Sequence, residues 1–179
     1  HVYLNEKQID QFIIYQNELQ KWNRKFNLTS ITDPVEIEIK HFIDSLTCLL
    51  AVDPIKTNNL IDIGTGAGFP GIPIKILCPQ IHLTLIEANQ KKAGFCSHLI
   101  AQLQLTLDNL LIGRAEQIAH EREYRGKFDI AVARAVASLP TLMEYLLPYV
   151  RPNGIALAMK GKDIQKELDT WPEIRNLML

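Results

Sequence analysis

Cysteine is scarce in this sequence, with three in 179 residues: Cys48, Cys78 and Cys96. They are odd in number, widely spaced and set in apolar stretches, without a CxxC or a metal-ligand spacing. A disulfide framework and a structural metal site are therefore not expected; three buried free thiols in a reducing cytoplasm are. Long apolar runs are also missing. None approaches the ~18 residues of a membrane helix, and no basic-then-apolar leader stands at the start, so neither membrane insertion nor secretion is expected. The chain has no surplus of positive charge, with a net charge of -1 at pH 7. Proteins that grip naked nucleic acid are often strongly basic, so the total speaks weakly against such a partner. A local basic face remains open, because distribution matters more than the sum. Internal repeats and low-complexity linkers are absent too.

What is present reads as one globular α/β unit. Leu4 to Phe26 places Ile9, Phe12, Ile13, Leu19, Trp22 and Phe26 at helical spacing, and Asn5 with Gln8 forms a capping box. Asn27-Leu28-Thr29-Ser30 breaks the pattern. Asp33-Pro34-Val35-Glu36 restarts it, with Asp33 as N-cap, Pro34 at the first helical position and Glu36 reaching back. That second helix carries Ile37, His41, Phe42 and Leu46.

Beyond Asp53-Pro54 the character changes. Short apolar runs at 60–63, 83–86, 110–112, 128–132 and 155–159 alternate with helical patterns such as Lys91 to Leu103 and Leu139 to Leu147. Near-continuous apolar strands alternating with helices predict a mostly parallel sheet covered on both faces. The expected organisation is a helical segment, 1–53, packed on an α/β core, 54–179.

The central motif is Asp62-Ile63-Gly64-Thr65-Gly66-Ala67-Gly68-Phe69-Pro70-Gly71, between a strand and a helix. Its glycines permit a tight turn and a close approach of backbone to ligand. Gly66-x-Gly68-x-x-Gly71 formally matches the dinucleotide pattern, a weak signal alone. In the other frame, Asp62-x-Gly64-x-Gly66-x-Gly68, an acid precedes the glycines. A carboxylate there favours the cationic ammonium and sulfonium of S-adenosylmethionine and repels a pyrophosphate, which tilts the reading toward a methyl donor. Glu87, at the end of the second strand, can accept both hydroxyls of a ribose from either cofactor.

Ligands of open α/β sheets sit beyond the carboxyl ends of the strands. Ala115 and Glu116, after the third strand, are therefore placed near an adenine; an ordinary helix start explains them equally well. Arg134, alone in the small apolar stretch Ala133-Arg134-Ala135-Val136-Ala137-Ser138, favours a site role over an internal salt bridge. His41 and Asp44 could serve acid–base chemistry or merely line the polar side of a packed helix. His82, His98 and His120 read as surface or core fillers. Lys91, Lys92, Arg122, Arg125, Lys127, Lys160 and Lys162 form either a phosphate-binding rim or a solvated face.

Taken together, Asn27-Leu28-Thr29, His41-Phe42-Ile43-Asp44-Ser45, the loop from Asp62 through Pro73, Arg114-Ala115-Glu116, Ala133-Arg134-Ala135 and Lys160-Gly161 resemble the bacterial small-subunit ribosomal RNA methyltransferase G family, also called glucose-inhibited division protein B. The resemblance covers nearly the whole chain, and Phe69-Pro70-Gly71-Ile72-Pro73 with the Arg134 segment is its most specific part. It implies a class I methyltransferase, Rossmann-like, with an N-terminal helical extension. It implies methyl transfer from S-adenosylmethionine to N7 of a guanine in 16S ribosomal RNA. Gly64, Phe69, Glu87-Ala88-Asn89, Ala115, Glu116 and Arg134 would contact the cofactor, joining Asp62, Gly66 and Gly68 of the loop. The family closes its sheet with a further helix and a final strand pair. The last strands are absent from this sequence, so a C-terminally truncated core is expected.

Guanine N7 carries an available lone pair and the methyl is already activated on a sulfonium. The protein needs chiefly to align the reactants and stabilise the new charge. No general base is required, which leaves Arg134 and His41 as the only, weak, catalytic candidates, and no metal is expected. The expected substrate is an unpaired guanine of a folded RNA or small-subunit particle, and the expected state a monomer. Rival readings are a small-molecule methyltransferase, a nicotinamide-dependent oxidoreductase, against which Asp62 speaks, and a non-enzymatic RNA- or ribosome-binding module with a relic pocket.

Overall fold

A computed structural model describes residues 3–52, 57–134 and 137–161, with Ile164 and Glu167. The apolar runs become five parallel strands: β1 (Asn59–Ile63), β2 (His82–Glu87), β3 (Asn109–Ile112), β4 (Phe128–Arg134) and β5 (Val150–Met159). Their order is β3-β2-β1-β4-β5. Strand β5 begins earlier than the apolar pattern suggests. Val150 already pairs with Phe128, and the register then shifts before Ile155 pairs with Ile130. Asn153, at φ 64°, lies in the part of the strand that the shift skips.

Alternate residues of these strands enter two cores, as a doubly covered sheet requires. Leu60, Leu83, Leu85, Ile130 and Val132 meet Phe12, Tyr15, Leu19, Ile72, Phe95 and Leu99. Ile61, Ile63, Ile86, Ala131 and Ala133 meet Ile118, Leu142, Leu146 and Tyr149. The first face is covered by α1 (Glu6–Phe26), α4 (Gly71–Leu77) and α5 (Gln90–Gln102), with α1 packed on both others. The second face carries α6 (Ala115–Ile118) and α7 (Leu139–Leu146). Cys48, Cys78 and Cys96 are buried free thiols. No helix among the described residues is long and apolar enough to cross a membrane.

Helix α1 starts with the expected capping box of Asn5 and Gln8 and ends at Asn27 in the left-handed conformation. Asp33 caps the next helix through the N–H of Glu36, and Pro34 opens it. Glu36 does not reach back to complete a box; its carboxylate pairs instead with Lys40 one turn on. After α2 (Pro34–Ile37) the backbone widens into a π-helical turn, Glu38–Ile43. It then continues through α3 (Asp44–Leu46) into a 3₁₀ turn, Thr47–Leu50. Such widened turns recur at functional sites, and this one carries His41. Asp53 and Pro54, the expected domain boundary, lie outside the described residues.

Candidate functional site

After β1 the chain builds β2 and β3 on one side, then returns to build β4 and β5 on the other. The crevice at this reversal is where open α/β sheets bind ligands. Here it is a cavity of about 490 Å³, within the usual range for small-molecule sites.

The glycine loop forms its floor. Gly64, Gly66 and Gly68 all take positive φ (66°, 61° and 93°), a region costly for residues with a Cβ. Asp62 braces the loop from behind. Its Oδ2 accepts from the Thr65 hydroxyl at 2.6 Å and from the Gly71 N–H at 2.8 Å. A Cβ on Gly71 would stand 2.8 Å from that same oxygen. Asp62 is fully buried, and Oδ1 has no partner among the described residues. Burial pushes its carboxyl up to about 6, against the downward pull of the Thr65 and Gly71 hydrogen bonds.

Glu87 ends β2 at the cavity wall. Its Oε2 accepts from the Gly66 N–H and its Oε1 from the Asn89 N–H, both at 2.8 Å. The carboxylate is thus fixed against the loop, and each oxygen keeps a second lone pair. Asn89 caps α5, its side chain accepting from the N–H groups of Lys91 and Lys92. Across the cavity, Ala115 and Glu116 open α6. The Tyr149 hydroxyl donates to the Ala115 carbonyl at 2.6 Å and fixes that turn from the core side.

The remaining wall joins the N-terminal helices to β4. Tyr15, fully buried, donates to the Ala67 carbonyl at 2.6 Å and stacks on Phe69, centroids 5.1 Å apart. Phe69 stacks on its other side with His41 at 4.5 Å and lies beneath the Arg134 guanidinium, 4.9 Å from the ring centre. Arg134 Nη1 donates to the Lys40 carbonyl and to Asp44 Oδ2, while Nη2 donates to His41 Nδ1 at 3.1 Å. Because Nδ1 accepts, the ring proton sits on Nε2, which donates to Thr29 Oγ1 at 2.8 Å. Burial, then the nearby Arg134 charge, hold the His41 pKa down at about 4. His41 is a neutral spacer with both nitrogens engaged, poorly suited to taking a proton.

Of the sequence candidates, Gly64, Gly66, Phe69, Glu87, Ala88, Ala115, Glu116, Arg134 and His41 line the cavity. Asp62, Gly68 and Asn89 do not; they lie behind the loop or cap the adjacent helix. Arg134 resolves an opposition drawn from sequence, for it both lines the cavity and forms a salt bridge, to Asp44 at 3.0 Å. Ala135 and Val136 lie outside the described residues. The supposed basic rim is dispersed. Lys92 lines the cavity, Lys91 rests over Phe26, Arg125 binds the Ala119 carbonyl and Lys127 stands by the opposite ends of the strands. Lys162 is outside the described residues. Sequence reasoning missed Tyr15, whose helical spacing marks it only as core, and gave no separate role to Thr29, although both Thr29 and His41 belong to distinctive motifs.

Solved structures share this architecture. A putative O-methyltransferase from Klebsiella pneumoniae superposes with a TM-score of 0.62 at 15% identity, over 93% of this chain and 83% of its own. The O-methyltransferase TomG from Streptomyces achromogenes, solved in complex with SAM, superposes with a TM-score of 0.57 at 18% identity, over 96% and 72%. Fold and cavity together define a Rossmann-like α/β architecture with a ligand crevice at its switch point. Sequence comparison narrows this further: residues 8–175 match the rRNA small subunit methyltransferase G family, and the chain belongs to it. A ribosomal RNA small subunit methyltransferase G from Clostridium botulinum (strain Loch Maree / Type A3) is 48% identical over 164 residues, 92% of this chain and 69% of the relative. One from Roseiflexus castenholzii is 48% identical over 165 residues, 92% of this chain and 70% of the relative.

Proposed function

We propose that this chain transfers a methyl group from S-adenosylmethionine to N7 of a guanine in 16S ribosomal RNA, acting in the cytoplasm as a monomer on a folded RNA or small-subunit particle. The observation that carries this is the extent of the family match. Residues 8–175 include every residue lining the cavity, from Leu28 to Tyr145.

The residues present fit the cofactor. A Cβ built on Gly66 meets only the Gly64 carbonyl oxygen, at 3.9 Å, so the loop offers open space at its crest. The Glu87 carboxylate is held ready by two backbone N–H groups and keeps lone pairs for the two hydroxyls of a ribose. Ala88, Ala115 and Glu116 frame the place of the adenine. When bound, S-adenosylmethionine supplies a methyl group already activated by the sulfonium. The protein's part is to position and to exclude water. Phe69, clamped between Tyr15 and His41 and covered by Arg134, makes a rigid wall. Thr29 accepts from both His41 Nε2 and the Ile31 N–H, which leaves its hydroxyl proton for a ligand. No group here needs to remove a proton before attack, and His41 is not free to do so.

The test is methylation of small-subunit particles lacking the modification. With labelled S-adenosylmethionine, about one methyl per particle is expected, at a guanine that then cleaves under the borohydride–aniline chemistry diagnostic of N7-methylguanine. Labelling confined to small molecules, or no labelling, defeats the proposal. Glu87→Ala should lower affinity for S-adenosylhomocysteine about 10- to 100-fold by calorimetry, as expected for hydrogen bonds to a charged acceptor.

A further inference from the structure

Arg134 has a second side. Beyond it, between the second helical segment and the ends of β4 and β5, lies another cavity, of about 410 Å³. Asp44, Thr47, Cys48, Leu157, Met159 and Lys160 line it together with Arg134. Among the described residues, Arg134 alone lines both cavities. A two-substrate transfer needs two compartments meeting at the reacting atoms, and the guanidinium is held as their partition by Lys40, His41, Asp44 and the face of Phe69.

We propose that this second cavity receives the acceptor base and that Asp44 selects guanine by accepting from its N1–H and N2–H groups. The inference rests on the function proposed above and adds the acceptor subsite and its selecting residue. Asp44 Oδ2 is engaged by Arg134 at 3.0 Å, whereas Oδ1 has no partner among the described residues. Lys160, the other charge on the wall, is occupied by the Ala137 carbonyl and by Glu167, each at 2.9 Å. Among the described residues, Asp44 is therefore the charged group of this wall with an acceptor to spare.

Guanine alone among the four bases sets two N–H donors side by side on its Watson–Crick edge, the edge by which unpaired RNA bases are commonly read. Adenine and cytosine would turn a ring-nitrogen lone pair toward the carboxylate, and uracil would turn a single N–H flanked on both sides by carbonyl oxygens. Holding guanine by N1 and N2 leaves N7, on the other edge, free to attack. Methylation at N7 puts a positive charge on the purine that the pyrimidine ring shares. A carboxylate at N1–H and N2–H favours that charge as it develops. Leu157 and Met159 supply apolar contact for the ring.

The experiment compares guanine with inosine at the target position of reconstituted small-subunit particles. Inosine keeps N7 and N1–H and lacks only the N2 amino group. For the wild-type chain, kcat/KM is expected to fall about tenfold or more on inosine, the effect of losing a hydrogen bond to a charged group. Asp44→Asn retains an acceptor for Arg134 and presents an amide donor in place of the spare oxygen. It should lower kcat/KM on guanine at least tenfold, bring the guanine-to-inosine ratio close to one, and leave S-adenosylhomocysteine affinity within about threefold. A lowered rate with the ratio preserved overturns the inference, because Asp44 would then act only through Arg134. So does wild-type indifference to inosine. Thr47→Trp, at an exposed wall position, gives an independent measurement: it should block methyl transfer while cofactor binding persists, and full activity would overturn the assignment. A wild-type chain that methylates no ribosomal RNA defeats the proposed function itself, and the inference falls with it.

Discussion

The Asp62 carboxylate satisfies two donors of the loop through one oxygen and leaves the other buried without a donor among the described residues. With its pKa raised to about 6, its contribution to stability is fully present below the ordinary carboxylate value and is lost as pH rises through 6. At about 1.36 kcal/mol per unit, the loss by pH 8 is on the order of 3 kcal/mol. Asp62→Asn does not titrate, so its melting temperature should rise relative to wild type between pH 5 and pH 8; a constant difference would refute this. His41 has the opposite sign. Its pKa, depressed to about 4, gives a contribution present above the ordinary histidine value and lost as pH falls through 4. Between about pH 4 and 6 the two slopes oppose one another. The wild-type chain should therefore melt at a nearly constant temperature there, and His41→Gln should uncover the Asp62 slope in the same thermal scans.

Helix α1 does more than cover the sheet. Tyr15 reaches from it to the Ala67 carbonyl and the face of Phe69, so the helix props the glycine loop. Tyr15→Phe leaves a buried carbonyl unpaired and should cost about 1–3 kcal/mol in chemical denaturation. It should also weaken S-adenosylhomocysteine binding several-fold; unchanged affinity would reduce Tyr15 to a packing residue. The cap tests the helix separately from the loop. Asn5→Ala removes the capping box, about 1 kcal/mol, with no expected change in ligand affinity because Asn5 is remote from the cavity. The contrast between the two variants shows whether α1 acts through its stability or through the Tyr15 contact.

Two chain segments meet at the cavity: the loop and strand ends of the sheet, and the N-terminal helices that supply Thr29 and His41. A ligand held by both should stabilise the whole domain. S-adenosylhomocysteine at 100 times its Kd should add about 2.7 kcal/mol, which for a chain of this size raises the melting temperature by roughly 5–10 °C. A single, ligand-shifted transition is expected. Two transitions of which only one shifts would mean that the helices and the sheet unfold independently.

The parallel sheet was legible in five apolar runs because strands buried on both faces must be apolar throughout, and the glycine loop because positive φ at Gly64, Gly66 and Gly68 excludes most other residues. Asn5 and Asp33 were legible as caps for a similarly local reason. Periodicity could not reveal the π-helical widening at Glu38–Ile43, which changes hydrogen-bond spacing without a glycine or proline to mark it. Nor could it separate the roles of carboxylates. Asp62 looks in sequence like a ligand for a cation, yet the close approach of Gly71 shuts it behind the loop. The Arg134 clamp joins groups ninety or more residues apart, and no local pattern encodes such a distance. Local chemistry thus settled the strands, the caps and the turn that cradles a ligand. The direction each charge faces, the neutrality of His41 and the division of the crevice into two cavities by Arg134 depended on packing, because burial and long-range partners exist only once the chain has folded.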